Sequence, residues 1–132
     1  MRVPLKAILI EDNENNRYLL TLLLEHTGFT VVSLTSGKTA IETIHREVPD
    51  VILMDIQMPE MDGYEVAAML KQDPFAARVP IVGVSSFAMP GDRDKALRAG
   101  FAGYIEKPVD PERFGQSVIA FLGRTEAHHE NP

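Results

Sequence analysis

No cysteine occurs among the 132 residues, which excludes a disulfide framework and every thiolate metal site. No apolar run approaches the roughly 20 residues that a membrane-spanning helix needs, and none sits in a signal-peptide context. A cytoplasmic protein that touches no membrane is the resulting expectation. Basic runs are missing too: 13 Lys and Arg stand against 19 Asp and Glu, a formal charge of −6, so nucleic acid is not an expected partner. No internal repeat or low-complexity segment interrupts the chain. The length and 45% hydrophobic content suit a single domain with one sizeable core. We place that domain at residues 1–124 and a short polar tail at 125–132, with no output domain. His128-His129 in the tail lack the helical spacing of metal ligands and read as solvated.

What is present alternates. Apolar runs at Ala7–Ile10, Phe29–Leu34, Val51–Met54, Pro80–Ser85 and Ala102–Glu106 read as strands. Between and after them lie five helical patterns. The first runs from about Glu14 to Thr27 and Gly28 ends it. The second opens at Ser36-Gly37 and puts Ile41, Ile44 and Val48 on one face. Asp62 and Glu65 form a capping box for the third, which buries Val66, Met69 and Leu70. The fourth follows Met89-Pro90-Gly91 and ends at Gly100. The fifth starts from Asp110-Pro111, turns Phe114, Val118, Phe121 and Leu122 inward, and frays from Gly123. Five strands alternating with five helices imply right-handed crossovers and a parallel sheet covered on both faces.

Chemistry gathers where strands end. Asp55 follows the third apolar run, and Glu11 and Asp12 follow the first. Neighbouring parallel strands would bring the three carboxylates to one sheet edge, where ligands of open α/β sheets bind. Such a cluster repels itself, and a hard divalent cation such as Mg2+, which favours oxygen ligands, relieves the repulsion. Ser85 ends the fourth strand and Lys107 follows the fifth. The hydroxyl can donate to a phosphoryl oxygen, and the ammonium can pair with carboxylate or phosphate. The site therefore suits a metal and a phosphoryl group.

Taken in order, Glu11-Asp12, Asp55, Ser85 and Lys107-Pro108 resemble the receiver domain of two-component response regulators, as does the loop Asp55-Ile56-Gln57-Met58-Pro59-Glu60-Met61-Asp62-Gly63. The resemblance covers Lys6 to about Leu122. It implies a flavodoxin-like (βα)5 fold with a five-stranded parallel sheet of order 2-1-3-4-5. It further implies a stand-alone signalling protein that assists only its own phosphorylation and dephosphorylation. Asp55 would be the phosphoacceptor, with Glu11, Asp12, Asp55 and the carbonyl of Gln57 around Mg2+. Ser85 would be the switch hydroxyl, Lys107 the phosphate contact, Tyr104 the switch aromatic, and Lys107-Pro108 a cis peptide. The chain departs from the family in having Ser85 where Thr is commoner and Ser86 where a small Ala or Gly usually follows.

The implied partners are a histidine kinase or histidine phosphotransfer protein, a downstream protein target, and a second copy in a homodimer. Phosphate on Asp55 would draw Ser85 inward and let Tyr104 follow, repopulating the face of helix four, strand five and helix five. Gln57 and Phe87, two residues beyond Asp55 and Ser85, would tune dephosphorylation, with Phe87 excluding water and so lengthening the lifetime. Tyr18, Leu19, Leu20 and Leu22–Leu24 cover roughly 240° of helix one, more than a surface helix buries, so part of that surface should face a partner. Two rival readings stand beside the receiver. A phosphatase of the haloacid dehalogenase type also uses a strand-end Asp and Mg2+, but carries Asp-x-Asp where position 57 here is Gln. A receiver-like module that signals unphosphorylated is the other.

Overall fold

The computed structural model describes residues 4–86 and 89–130, with 123–130 as backbone alone. Strands β1 (Leu5–Ile10), β2 (Phe29–Leu34), β3 (Val51–Asp55), β4 (Ile81–Ser85) and β5 (Gly103–Glu106) alternate with helices α1 (Glu14–His26), α2 (Ala40–Glu47), α3 (Gly63–Lys71), α4 (Asp92–Arg98) and α5 (Phe114–Glu130). The strands form one parallel sheet in the order β2-β1-β3-β4-β5, the flavodoxin-like arrangement. Each central strand splits its side chains between two cores because successive Cβ atoms point to opposite faces. Ile8, Ile10, Ile52, Met54 and Ile81 join Ile44, Val66, Leu70 and Tyr104 on the face covered by α2, α3 and α4. Ala7, Leu9, Val51, Leu53, Val82 and Val84 join Leu20 and Leu24 of α1 and Phe114, Val118 and Leu122 of α5 on the other. Burial on both faces explains why the strands read as unbroken apolar runs. Among the described residues, no helix is long and apolar enough to cross a membrane.

Local signals set most boundaries. Asn13 accepts from the Asn16 N–H and starts α1. The Asp62 side chain accepts from the Glu65 N–H at 2.9 Å while Glu65 accepts from the Asp62 N–H at 3.2 Å, a complete capping box that starts α3.

Several details depart from the sequence pattern. The second helix opens at Ala40 after Thr39, not at Ser36-Gly37. Val48 does not extend the apolar face of α2: it is the C-cap, in the left-handed region at φ 48°, and is 46% exposed. Pro49 is the reason, since the residue before a proline is driven out of the right-handed helical region. Asp110 accepts from the Glu112 N–H at 3.0 Å as a cap does, but the regular helix begins only at Phe114 after one turn. At its other end α5 continues through Gly123 to Glu130 instead of fraying there. One glycine costs a helix only about 1 kcal/mol, and the helix-favouring residues that follow offset it. The side chains of His128 and His129 lie outside the described residues.

Candidate functional site

The order of the sheet makes the site. β1 and β3 are neighbours whose connections leave in opposite directions, so a crevice opens beyond their carboxyl ends. Ile10 pairs with Met54, which puts Glu11 level with Asp55, and Asp55 pairs with Val84, which puts Ser85 one step beyond. Ser85 in turn pairs with Glu106, so Lys107 leaves β5 at the same edge, its N–H donating to the Ser85 carbonyl at 2.7 Å. Lys107-Pro108 is a cis peptide.

One carboxylate oxygen from each of Glu11, Asp12 and Asp55 lies within 4.8 Å of the other two. Their surroundings differ: Glu11 is fully buried, Asp55 nearly so, and Asp12 is exposed. Lys107 donates to Glu11 Oε1 at 2.8 Å and lies 3.6 Å from Asp55 Oδ2. The Asn13 N–H donates to the other Glu11 oxygen at 3.2 Å. Arg17 of α1 anchors the acidic segment from behind through the Glu11 carbonyl (3.0 Å) and the Asp12 carbonyl (3.4 Å).

Burial pushes the Asp55 carboxyl up from 3.8 to about 7, and hydrogen bonding to Glu11 and its charge add to the rise. Lys107 and the Gln57 N–H pull the other way. Metal-free, this carboxylate is crowded by charge and short of water. An all-oxygen donor set with one exposed member suits a hard divalent cation that keeps several waters.

The loop after Asp55 folds back on itself. The Gln57 N–H donates to Asp55 Oδ1 at 3.1 Å, and the Gly63 N–H to the Ile56 carbonyl at 2.8 Å. A Cβ at Gly63 would stand 2.8 Å from Ile56 Cα, so the close approach requires glycine. Ile56 and Met58 anchor the loop in the core. Outside it, Lys38 and Glu60 pair at 2.8 Å across a cleft of about 290 Å³ that also borders Asp12.

Of the residues singled out from sequence, Glu11, Asp12, Asp55, Ser85 and Lys107 come together. Phe87 lies outside the described residues. Tyr104 is already buried in the unmodified chain, 3% exposed, packed in the core beneath α4 with the Arg93 guanidinium 5.9 Å from its ring. The inward movement expected of it on phosphorylation therefore starts from a ring already inside. Its hydroxyl is buried without a hydrogen-bond partner among the described residues. Sequence reasoning placed Gln57 beside the acceptor as a group that tunes dephosphorylation but did not foresee that its side chain spans to β4: Nε2 donates to Ser85 Oγ at 2.7 Å and Oε1 accepts from the Ser86 N–H at 3.0 Å. It also missed Arg17.

Comparison with known proteins agrees with this geometry. The family model of the response regulator receiver domain matches residues 7–119. The chain is 36% identical over 121 residues to the polar-differentiation response regulator DivK of Brucella anthropi, covering 92% of this chain and 98% of that one. It is 38% identical over 117 residues to DivK of Brucella ovis, covering 89% and 95%. Among solved structures, a response regulator of Chloroflexus aurantiacus superposes with a TM-score of 0.84 at 26% identity, covering 92% of this chain and 99% of that one. The receiver domain of a sensor histidine kinase from Pseudomonas aeruginosa, with a magnesium ion coordinated in its active-site cleft, superposes with a TM-score of 0.80 at 29% identity, covering 90% and 98%.

Proposed function

The chain belongs to the response regulator receiver domain family, and from that membership we propose that Asp55 accepts a phosphoryl group from a phosphohistidine on a partner protein. The observation that carries the proposal is the convergence of Glu11, Asp12, Asp55 and Lys107 at one sheet edge. In the transfer an Asp55 carboxylate oxygen forms a bond to phosphorus while the phosphorus–nitrogen bond to the histidine breaks, and the imidazole keeps the electron pair and takes a proton. Glu11, Asp12, Asp55 and the Gln57 carbonyl would hold Mg2+, whose charge offsets the charge building on the transferred oxygens. Lys107 supplies a fixed positive charge beside the acceptor, and Ser85 a hydroxyl for the bound phosphate. Residues 1–124 act as the receiver, in a cytoplasmic signalling protein that assists only its own phosphorylation and dephosphorylation. Output passes to a protein target through α4, β5 and α5, with Ser85 and Tyr104 as the switch. Gln57 and Phe87 set the lifetime of the acyl phosphate. At position 57 the second aspartate of a dehalogenase-type phosphatase is replaced by an amide already bonded to β4.

The donor's docking surface is α1. Tyr18, Leu19 and Leu22 are 68%, 43% and 45% exposed, and Leu19 borders a cleft of about 280 Å³ shared with Ser86, Lys107 and Pro108. Such apolar surface beside the acceptor fits a histidine-bearing helix bundle. Replacing Tyr18 by Asp should slow transfer from the cognate phosphohistidine protein by about tenfold, the loss of one well-packed aromatic contact. Modification by acetyl phosphate, which needs no docking, should stay at the wild-type rate. Equal losses with both donors would contradict this assignment of α1.

A further inference from the structure

Ser85 and Ser86 bring two groups to the site, a hydroxyl and a backbone N–H, that a phosphoryl group on Asp55 could use. In the resting chain the Gln57 side chain engages both, spanning from the loop after β3 to the end of β4. Its two bonds fix the amide orientation. Turning the amide over would set its NH2 against the Ser86 N–H, two donors face to face, and lose that bond. The hydroxyl oxygen is thereby held at the amide nitrogen, and the Ser86 N–H is already donating to an oxygen. Ser85 is buried at 1% exposure, whereas Gln57 is exposed. Of the two partners only Gln57 is free to leave, and it can swing into water without repacking anything.

We propose that the Gln57 side chain is a resting-state latch: its amide holds Ser85 Oγ and caps the Ser86 N–H, and both bonds must break before β4 can engage a phosphoryl group on Asp55. The inference rests on the phosphoacceptor reading above. It gives Gln57 a task separate from any action on water, because the latch acts on the unmodified protein and opposes the modified one. Gln57 is a positioning residue in this role. It sets how far the resting chain lies from the activated arrangement, and removing it lowers the cost of activation without adding any contact to phosphate. The amide oxygen that caps Ser86 stands in for the phosphoryl oxygen that replaces it.

The test uses Gln57→Met, which keeps the length and bulk of the side chain but cannot make either bond. In the resting variant the Ser86 amide proton should move upfield and exchange faster with solvent. Beryllofluoride with Mg2+, a mimic of the aspartyl phosphate, should bind the variant roughly five- to a hundredfold more tightly than the wild type, the size of two hydrogen bonds that no longer have to be broken. A Ser86 amide resonance unchanged by the substitution, or affinity equal to or weaker than wild type, would overturn the latch. Wild-type protein that binds beryllofluoride while Gln57→Met gains nothing removes the latch alone. Wild-type protein that fails to bind it at all overturns the phosphoacceptor reading beneath.

Discussion

Asp55→Asn is expected to raise the stability of the metal-free protein by roughly 1–4 kcal/mol at pH 8 and to leave it nearly unchanged at pH 4. The native state holds the Asp55 carboxyl up at about 7, against 3.8 for a free side chain. Well below pH 4 the group is protonated in both folded and unfolded chains and contributes no difference. Between about pH 4 and 7 the unfolded chain has released that proton and the native chain has not, so wild-type stability falls as pH rises, then levels once both have ionised. Asn is neutral throughout and removes this fall. Mg2+ should have the opposite pattern, stabilising the wild type most above pH 7, where no proton competes for the carboxylate, and the variant far less. Urea unfolding of both proteins from pH 4 to 8 measures this directly. Parallel curves for wild type and variant would contradict a strained Asp55.

Lys107→Met should destabilise the metal-free protein by about 3–5 kcal/mol at neutral pH, the usual cost of leaving a buried ion without its partner. Lys107 is 12% exposed and its ammonium bridges Glu11, fully buried, and Asp55. Without it Glu11 keeps the Asn13 N–H but loses its charge partner, and two crowded carboxylates face each other. Asp55 can relieve part of this by keeping its proton to higher pH, so the loss should deepen as pH rises. Mg2+ should recover most of the stability, since it offers the positive charge that the side chain no longer does. Chemical denaturation with and without Mg2+ checks both statements. A variant as stable as wild type without the metal would show that Lys107 does not neutralise the site.

The sequence exposed the parts of this protein that obey one-dimensional rules. Strands buried on both faces leave apolar runs, and Glu11, Asp12, Asp55, Ser85 and Lys107 stand out because polar groups end those runs. Asp62 with Glu65 is legible because a capping box has fixed spacing. The Gln57 clamp was not legible. Its partners lie 28 and 29 residues away, the contact depends on the β3–β4 register, and an exposed polar side chain leaves no periodic trace. Arg17 is invisible for the same reason, since it binds carbonyls that any residue would supply. Position alone also could not say that Lys107 would sit closer to Glu11 than to Asp55. Val48 has the helical spacing of a core-facing residue, but spacing does not say which residue before a proline is the last helical one.

The central claim is that Asp55 is the phosphoryl acceptor, and intact-mass measurement after incubation with acetyl phosphate and Mg2+ tests it most directly. The carboxylate is the nucleophile, so an amide of the same shape cannot replace it. Wild-type protein should gain the mass of one phosphoryl group and Asp55→Asn should gain none. A wild type that stays unmodified, or a variant that gains the same mass, would contradict the account.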